Sequence, residues 1–174
     1  MLMTLYFFAR RAKVSYLWIL DRISIVAAFM FCMIRLGNLM NSEMIGTPTN
    51  LPWGFIFASN DNVPRHPAQL YEAIHYFISF IILFWIWFRQ KDRMRNGFLF
   101  GWALIIMFSF RFIDEFFKTN QESFEDGMIL NMGQILSLPF ILTGIVMLIL
   151  TMGKKREPLS PNKIAVDIEQ LSKD

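Results

Sequence analysis

The sequence predicts an all-α membrane protein, a polytopic transmembrane helix bundle with about four full spans plus a partial helix at the N-terminus. Three observations carry this expectation. Of the 174 residues, 55% are hydrophobic and 16% aromatic, more than a soluble domain of this size usually holds. The apolar residues gather into four runs, each long enough to cross a hydrocarbon core of roughly 30 Å as a helix. The Lys and Arg residues behind the net charge of +3 sit beside those runs, a pattern that speaks of membrane topology before nucleic acid. No nucleic-acid-binding motif accompanies them. Lipid leaves free backbone groups without partners, so the spans must be helices, and no alternating barrel strands occur.

The chain opens with the short apolar stretch MLMTLYFFA, followed by Arg10, Arg11 and Lys13. A signal peptide carries its charges ahead of its apolar stretch, and a span takes about 20 residues. This opening therefore reads as the end of a helix that begins outside the chain. The first full span is expected at about 16–36, with Asp21 and Arg22 near one end and Arg35 near the other. The second runs over about 68–88 and closes on Phe84, Trp85, Trp87 and Phe88. The third covers about 97–117, where Gly97 and Gly101 form a small-xxx-small pair suited to close helix contact. The fourth covers about 128–152, and a polar tail with two prolines follows. The tail reads as an extension without a packed core. The expected division is a membrane portion at 1–153, with an extracytoplasmic loop at 37–67, and a polar cytoplasmic tail at 154–174.

Orientation follows from the basic clusters. Arg10, Arg11 and Lys13 precede the first span, Arg89, Lys91, Arg93 and Arg95 lie between the second and third, and Lys154, Lys155 and Arg156 follow the fourth. If each segment crosses once, all three clusters share one side, which the positive-inside rule makes cytoplasmic. The loops at 37–67 and 120–127 then face outward. Cys32 is the only cysteine, so no intrachain disulfide or Cys-x-x-Cys site exists, and it reads as a small buried apolar residue. No metal site and no cofactor is expected.

Polar residues within the apolar runs carry the functional signal. Arg111 lies in FSFRFIDEFFK, where a central charge costs roughly 2.5–3.5 kcal/mol on insertion. Asp114 and Glu115, three and four positions on, share its helical face. One reading is an intrahelical ion pair, the other a functional role for the arginine. Arg35 stands in IRLGNLMNSEMIG with Asn38 three residues on; it either snorkels to the interface or faces a ligand. Gly37 and Gly46 suit a backbone that leaves the helix or approaches something closely. In RHPAQLYE, Pro67 fits a first helical turn, with His66 before it and Gln69, Tyr71 and Glu72 after it. His75 reads as a bond to a neighbouring helix. All three clusters fall toward the outer face. Two arginines converging in a low-dielectric site suit a phosphate, with Asn, Gln and Tyr orienting it, and a phospholipid headgroup is the natural anion at that depth. An ion pathway would call for inverted repeats or broken helices with midplane charges, and neither is present.

These strings resemble the prolipoprotein diacylglyceryl transferase family. IRLGNLMNSEMIG looks like the family signature Gly-Arg-x-Gly-Asn-Phe-x-Asn-x-Glu-x-x-Gly: Arg35, Gly37, Asn38, Asn41, Glu43 and Gly46 match, while Ile34 and Leu39 depart. RHPAQLYE is similar to the His-Pro-x-Gln-Leu-Tyr-Glu block and RFIDEFFK to the Arg-Phe-x-x-Glu-Phe-Phe-Arg block. MGQILSLPF, holding Gln134 and Pro139, resembles the Met-Gly-Gln-x-Leu-Ser-x-Pro block. The blocks stand in family order over about 2–150. Met107 occupies a position where members usually carry tyrosine. The family's essential histidine sits in a His-Gly-Gly stretch upstream of a helix ending like LYFFAR; this chain has no such stretch, and so looks like the C-terminal half to two-thirds of the enzyme.

The resemblance implies transfer of a diacylglyceryl group from phosphatidylglycerol to the lipobox cysteine thiol of a preprolipoprotein, forming a thioether and releasing glycerol phosphate. It implies a multi-pass protein of the bacterial cytoplasmic (inner) membrane with its site on the extracytoplasmic side. Arg35, Arg111 and Glu115 are implied as catalytic, with Glu115 orienting Arg111. Arg35, Asn38, Gly46, His66, Gln69, Tyr71 and Arg111 are implied to bind phosphatidylglycerol, with His66 a substitute candidate for the base. The loop at 37–67 would belong to a head region that meets the protein substrate. Implied partners are phosphatidylglycerol, the lipobox cysteine of the preprolipoprotein and membrane lipid, without nucleic acid or cofactor. The alternative is a fragment of that enzyme that inserts in the membrane but, lacking the upstream histidine, does not catalyse.

Overall fold

The structure, a computed structural model, describes residues 2–90, 94–118 and 130–152. Their order is α1 (Leu2–Arg11), α2 (Tyr16–Met40), β1 (Phe55–Ile56), β2 (Pro64–Arg65), α3 (Ala68–Gln90), α4 (Phe98–Asp114), a 3-10 turn (Glu115–Phe117) and α5 (Met132–Met152). Lys91, Arg93, Lys154, Lys155, Arg156, the 120–127 loop and the 154–174 tail lie outside the described residues.

Three helices, α2, α3 and α5, are long and apolar enough to cross a membrane. Their lengths of 25, 23 and 21 residues correspond to about 31–37 Å at 1.5 Å per residue. The third expected span is realised differently. α4 has 17 residues, about 25 Å; Asp114 at its end bonds His75 on α3, and the apolar run then tightens into the 3-10 turn, which sets Glu115 beside Lys118. α2 also runs past the expected end at residue 36, so Arg35 and Asn38 stand on one helical face.

The helices pair antiparallel, α2 with α3 and α4 with α5, and both α2 and α3 also meet α4. Small residues set the closest approach. A methyl on Gly144 would lie 2.8 Å from the Gly101 carbonyl oxygen, so α4 and α5 meet backbone to backbone. Gly97 serves another purpose, since its φ of 92° is a left-handed start to α4 that favours glycine. Ala28, Leu83, Leu99 and Ala103 form the main core. A second cluster joins Cys32, Ala73 and Tyr76. Val26, Ile81, Leu142, Val146 and Ile149 are exposed, an apolar exterior suited to lipid.

At the end where α2 and α4 begin, polar side chains close helix termini. Asp21 is buried and accepts the Gly97 and Phe100 amides, both at 2.7 Å. It therefore caps α4 from another helix, satisfying donors that have no intrahelical acceptor. Arg95 donates to the Thr151 carbonyl in the last turn of α5. Arg22 donates to the Trp18 carbonyl at 2.9 Å and lies 3.4 Å from the Trp18 ring centroid. Arg89 closes α3 at this same end.

Candidate functional site at the opposite end

The other end joins the close of α2, the start of α3, the 3-10 turn after α4 and the start of α5. Its centre is Glu72, in the second turn of α3 and fully buried. One carboxylate oxygen faces Arg35 Nε at 3.0 Å and the other faces Lys118 Nζ at 2.7 Å. These are ion pairs without hydrogen-bond alignment. Lys118 also lies 3.5 Å from Glu115 Oε2. Buried charges persist when paired, and here two carboxylates hold two cations. Arg35 additionally reaches the Met44 sulfur through Nη1 at 3.2 Å.

The loop between α2 and α3 folds back onto this network. Gly46 donates to the His66 carbonyl at 3.2 Å and Thr47 to the Phe117 carbonyl at 3.0 Å. Gly46 and Lys118 form an antiparallel bridge. A methyl on Gly46 would lie 2.4 Å from the His66 carbonyl oxygen and 2.8 Å from that of Phe117. Only glycine allows that approach. Gly37 makes none: it remains inside α2, with nothing within 4 Å of where a Cβ would stand.

Gln69 is buried and donates to the Glu43 carbonyl, while its Oε1 has no partner among the described residues. Tyr71 receives the Trp53 indole N–H at 3.0 Å and lies 3.2 Å from His66 Nδ1. Phe117 packs against both rings. Asp61 and Arg65, in the loop outside the spans, pair at 2.6 Å. The Arg65 hydrogen bonds hold the Asp61 carboxyl below its ordinary range, and Asp61 raises Arg65 in turn.

The intrahelical ion pair, one of the two readings for Arg111, does not form among the described residues. Asp114 bonds His75 Nδ1 at 2.7 Å, and the His75 ring stacks on Phe110 with centroids 4.4 Å apart. His75 thus ties α3 to α4, as the sequence leads one to expect. Glu115 faces Lys118 rather than Arg111, and its carboxylate lies against Gly133 at the start of α5, where a methyl would meet Oε2 at 2.5 Å. Glu115 keeps its amide on the Arg111 carbonyl, but it opens a 3-10 turn whose three-residue repeat brings Lys118 over the same side. Arg111 is left half-buried, with no ion pair or hydrogen bond from its guanidinium to the described residues. One turn earlier, Met107 packs with Leu36 against the Cys32 cluster, which sets this face of α4 beside the closing turns of α2. Asn38 is half-buried, and its carbonyl accepts the Glu43 amide at 2.9 Å.

Sequence reasoning noted Glu72 without giving it a role, and did not single out Lys118. A carboxylate inside an apolar helix, one turn after Gln69, was the signal that could have found Glu72.

Residues 1–150 match the family described as prolipoprotein diacylglyceryl transferase. The phosphatidylglycerol–prolipoprotein diacylglyceryl transferase of Bacteroides fragilis is 44% identical over 156 residues, covering 90% of this chain and 56% of the relative. The protein of that name from Tolumonas auensis is 45% identical over 155 residues, covering 88% of this chain and 60% of its own length. That from Chloroherpeton thalassium is 45% identical over 151 residues, covering 84% and 55%. The chain thus spans 55–60% of the length of these curated relatives.

Proposed function

This chain belongs to the prolipoprotein diacylglyceryl transferase family, and from that premise we propose that its charged end serves the transfer of a diacylglyceryl group from phosphatidylglycerol to a prolipoprotein cysteine. The supporting observation is Arg111: its guanidinium is uncommitted among the described residues, while Arg35 and Lys118 share Glu72. A cation kept without a protein counter-ion inside a membrane protein is suited to a ligand anion.

In this reading Arg111 and the outer edge of Arg35 hold the lipid phosphate. The substrate thiol gives its proton to water, its sulfur attacks the glycerol carbon, and the carbon–oxygen bond breaks so that its electron pair leaves on glycerol phosphate. Charge on the departing phosphate grows in the transition state, where fixed donors stabilise it most. Asn38 and the free Gln69 oxygen face the headgroup glycerol, and His66 and Tyr71 border the entrance. Gly46 closes the loop over the site. Glu115 acts as a positioning residue through Lys118 and the start of α5. No step draws on a metal or cofactor.

The same reading places 1–153 in a bacterial cytoplasmic membrane, with the 37–67 loop extracytoplasmic and the 154–174 tail cytoplasmic. The collection of Arg10, Arg11, Arg89 and Arg95 away from the charged site supports that orientation.

Arg111→Ala, introduced into the protein in cells depleted of their own transferase, should lower lipidation of a reporter lipoprotein by roughly 10²–10³-fold. Undiminished lipidation would sink the phosphate assignment. Expressing these 174 residues alone in the depleted cells addresses the second reading, an inserting but inactive fragment. Restored processing refutes it.

A further inference from the structure

We propose that the loop between α2 and α3 rests its apolar side in the lipid surface, beside the mouth of the charged site. The segment LPWGFIFASN at 51–60 carries no charged residue. Leu51, Trp53, Phe55, Ile56 and Val63 are between 41% and 59% exposed, whereas Phe57 alone of these aromatics and aliphatics turns inward. Met40, closing α2, and Met44, opening the loop, are exposed as well. Exposed apolar residues thus stand both at the close of α2 and along the loop, with exposed Asn41, Glu43 and Asn50 between them, and α2 is itself long and apolar enough to cross a membrane.

Depth and charge agree with this occupant. Trp53 donates its indole N–H to the Tyr71 hydroxyl at 3.0 Å, and Tyr71 lies in the first turn of α3. The loop is thereby pinned within about one 5.4 Å turn of the level at which α3 begins. Trp and Tyr with an apolar body and a polar tip belong at that level of a bilayer. The loop's charged pair, Asp61 and Arg65, is closed at 2.6 Å, so contact with lipid strands no ion from this pair. An apolar peptide is a poorer fit. It would bind in a groove or along an open strand edge, but Arg65 on β2 is already bridged by Phe55 on one side and Pro48 on the other, and the outer edge of β1 is only two residues long. The inference rests on the membrane character of the helices and not on the enzymatic reading.

The test uses Cys32→Ala as background and spin labels at Phe55→Cys and Ile56→Cys. Ile81→Cys on the exterior of α3 and Gln90→Cys at its far end serve as references. The whole chain is reconstituted in vesicles of phosphatidylcholine and phosphatidylglycerol, and collisions with oxygen and with a soluble nickel chelate are compared. Positions 55, 56 and 81 should favour oxygen several-fold over nickel, relative to position 90. If 55 and 56 behave like 90 while 81 favours oxygen, the loop stands in water and the proposal fails. Shielding of 55 and 56 from both reagents means protein covers them, which also overturns it. Oxygen preference that arises only on adding an apolar helical peptide assigns the surface to peptide instead. If 81 itself favours nickel, the membrane placement of the helices has failed, and the proposal falls with it.

Discussion

The two ends of the bundle hold similar residue types and use them in opposite ways. Where α2 and α4 begin, Asp21 caps α4 through two amides, Arg95 bonds the last turn of α5, and Arg22 rests on Trp18. Each charge is matched to its own helix or to a backbone terminus. Where α2 and α4 end, charges answer charges: Glu72 lies between Arg35 and Lys118, and Glu115 completes the set. Arg111 and the Gln69 oxygen are unmatched there among the described residues. The first arrangement is complete as folded. The second is held rigid on one side and left open on the other, as a binding site for an external anion should be.

The largest effect should come from breaking the held side. Glu72→Ala leaves Arg35 without a carboxylate partner among the described residues and buried Lys118 with Glu115 alone, and loss of one partner from a buried pair costs about 3–5 kcal/mol. Thermal unfolding in detergent should fall accordingly, whereas Arg111→Ala, which breaks no ion pair among the described residues, should hardly move it. Equal destabilisation by both changes would erase the distinction between the held and open sides. Gly46→Ala comes next. Its methyl meets the His66 and Phe117 carbonyls at 2.4 and 2.8 Å, so backbone must shift, with an expected loss of about 1–3 kcal/mol. Asp21→Ala at the opposite end removes an N-cap, for which about 0.5–2 kcal/mol is usual. Unlike Gly46→Ala, it should leave phosphatidylglycerol binding intact, measured by retention of the lipid through purification.

The same contrast separates what the residues revealed from what they concealed. Apolar runs located α2, α3 and α5 because membrane helices must be long and continuously apolar. The polar residues of the charged end were visible because they stand where apolar neighbours make them costly. Their pairings were not visible. Glu115 was matched to Arg111 by helical spacing, but the 3-10 turn that follows brings Lys118 over it. The cap from Asp21 to Gly97 bridges 76 residues, a contact that no local periodicity encodes. Gly37 and Gly46 looked alike in sequence, yet one stays in a helix and the other lies against two carbonyls. Residue type exposed the site; helix-end geometry decided who pairs with whom.

The smallest effect belongs to the pair that resembles neither end. Asp61 and Arg65 sit in the loop, and Asp61 also accepts the Val63 amide at 3.2 Å. The folded carboxyl titrates below its ordinary value because Arg65 hydrogen-bonds its charged form. A depressed carboxyl contributes stability above the unfolded value near pH 3.9 and loses it as pH falls through the folded one. Exposure and salt weaken such a pair, so global unfolding should scarcely respond to Asp61→Asn. The local amide should respond. Between pH 5 and pH 3, hydrogen exchange at Val63, corrected for its intrinsic pH dependence, should lose protection in the wild-type chain and show little change in the variant. A matching loss in both chains would mean that Asp61 does not hold this turn, leaving the backbone pairing of Phe55 with Arg65 to do so. A larger response at Gly46 than at Val63 would instead join the loop pair to the buried network, and the boundary between exposed and held charge would have to move outward.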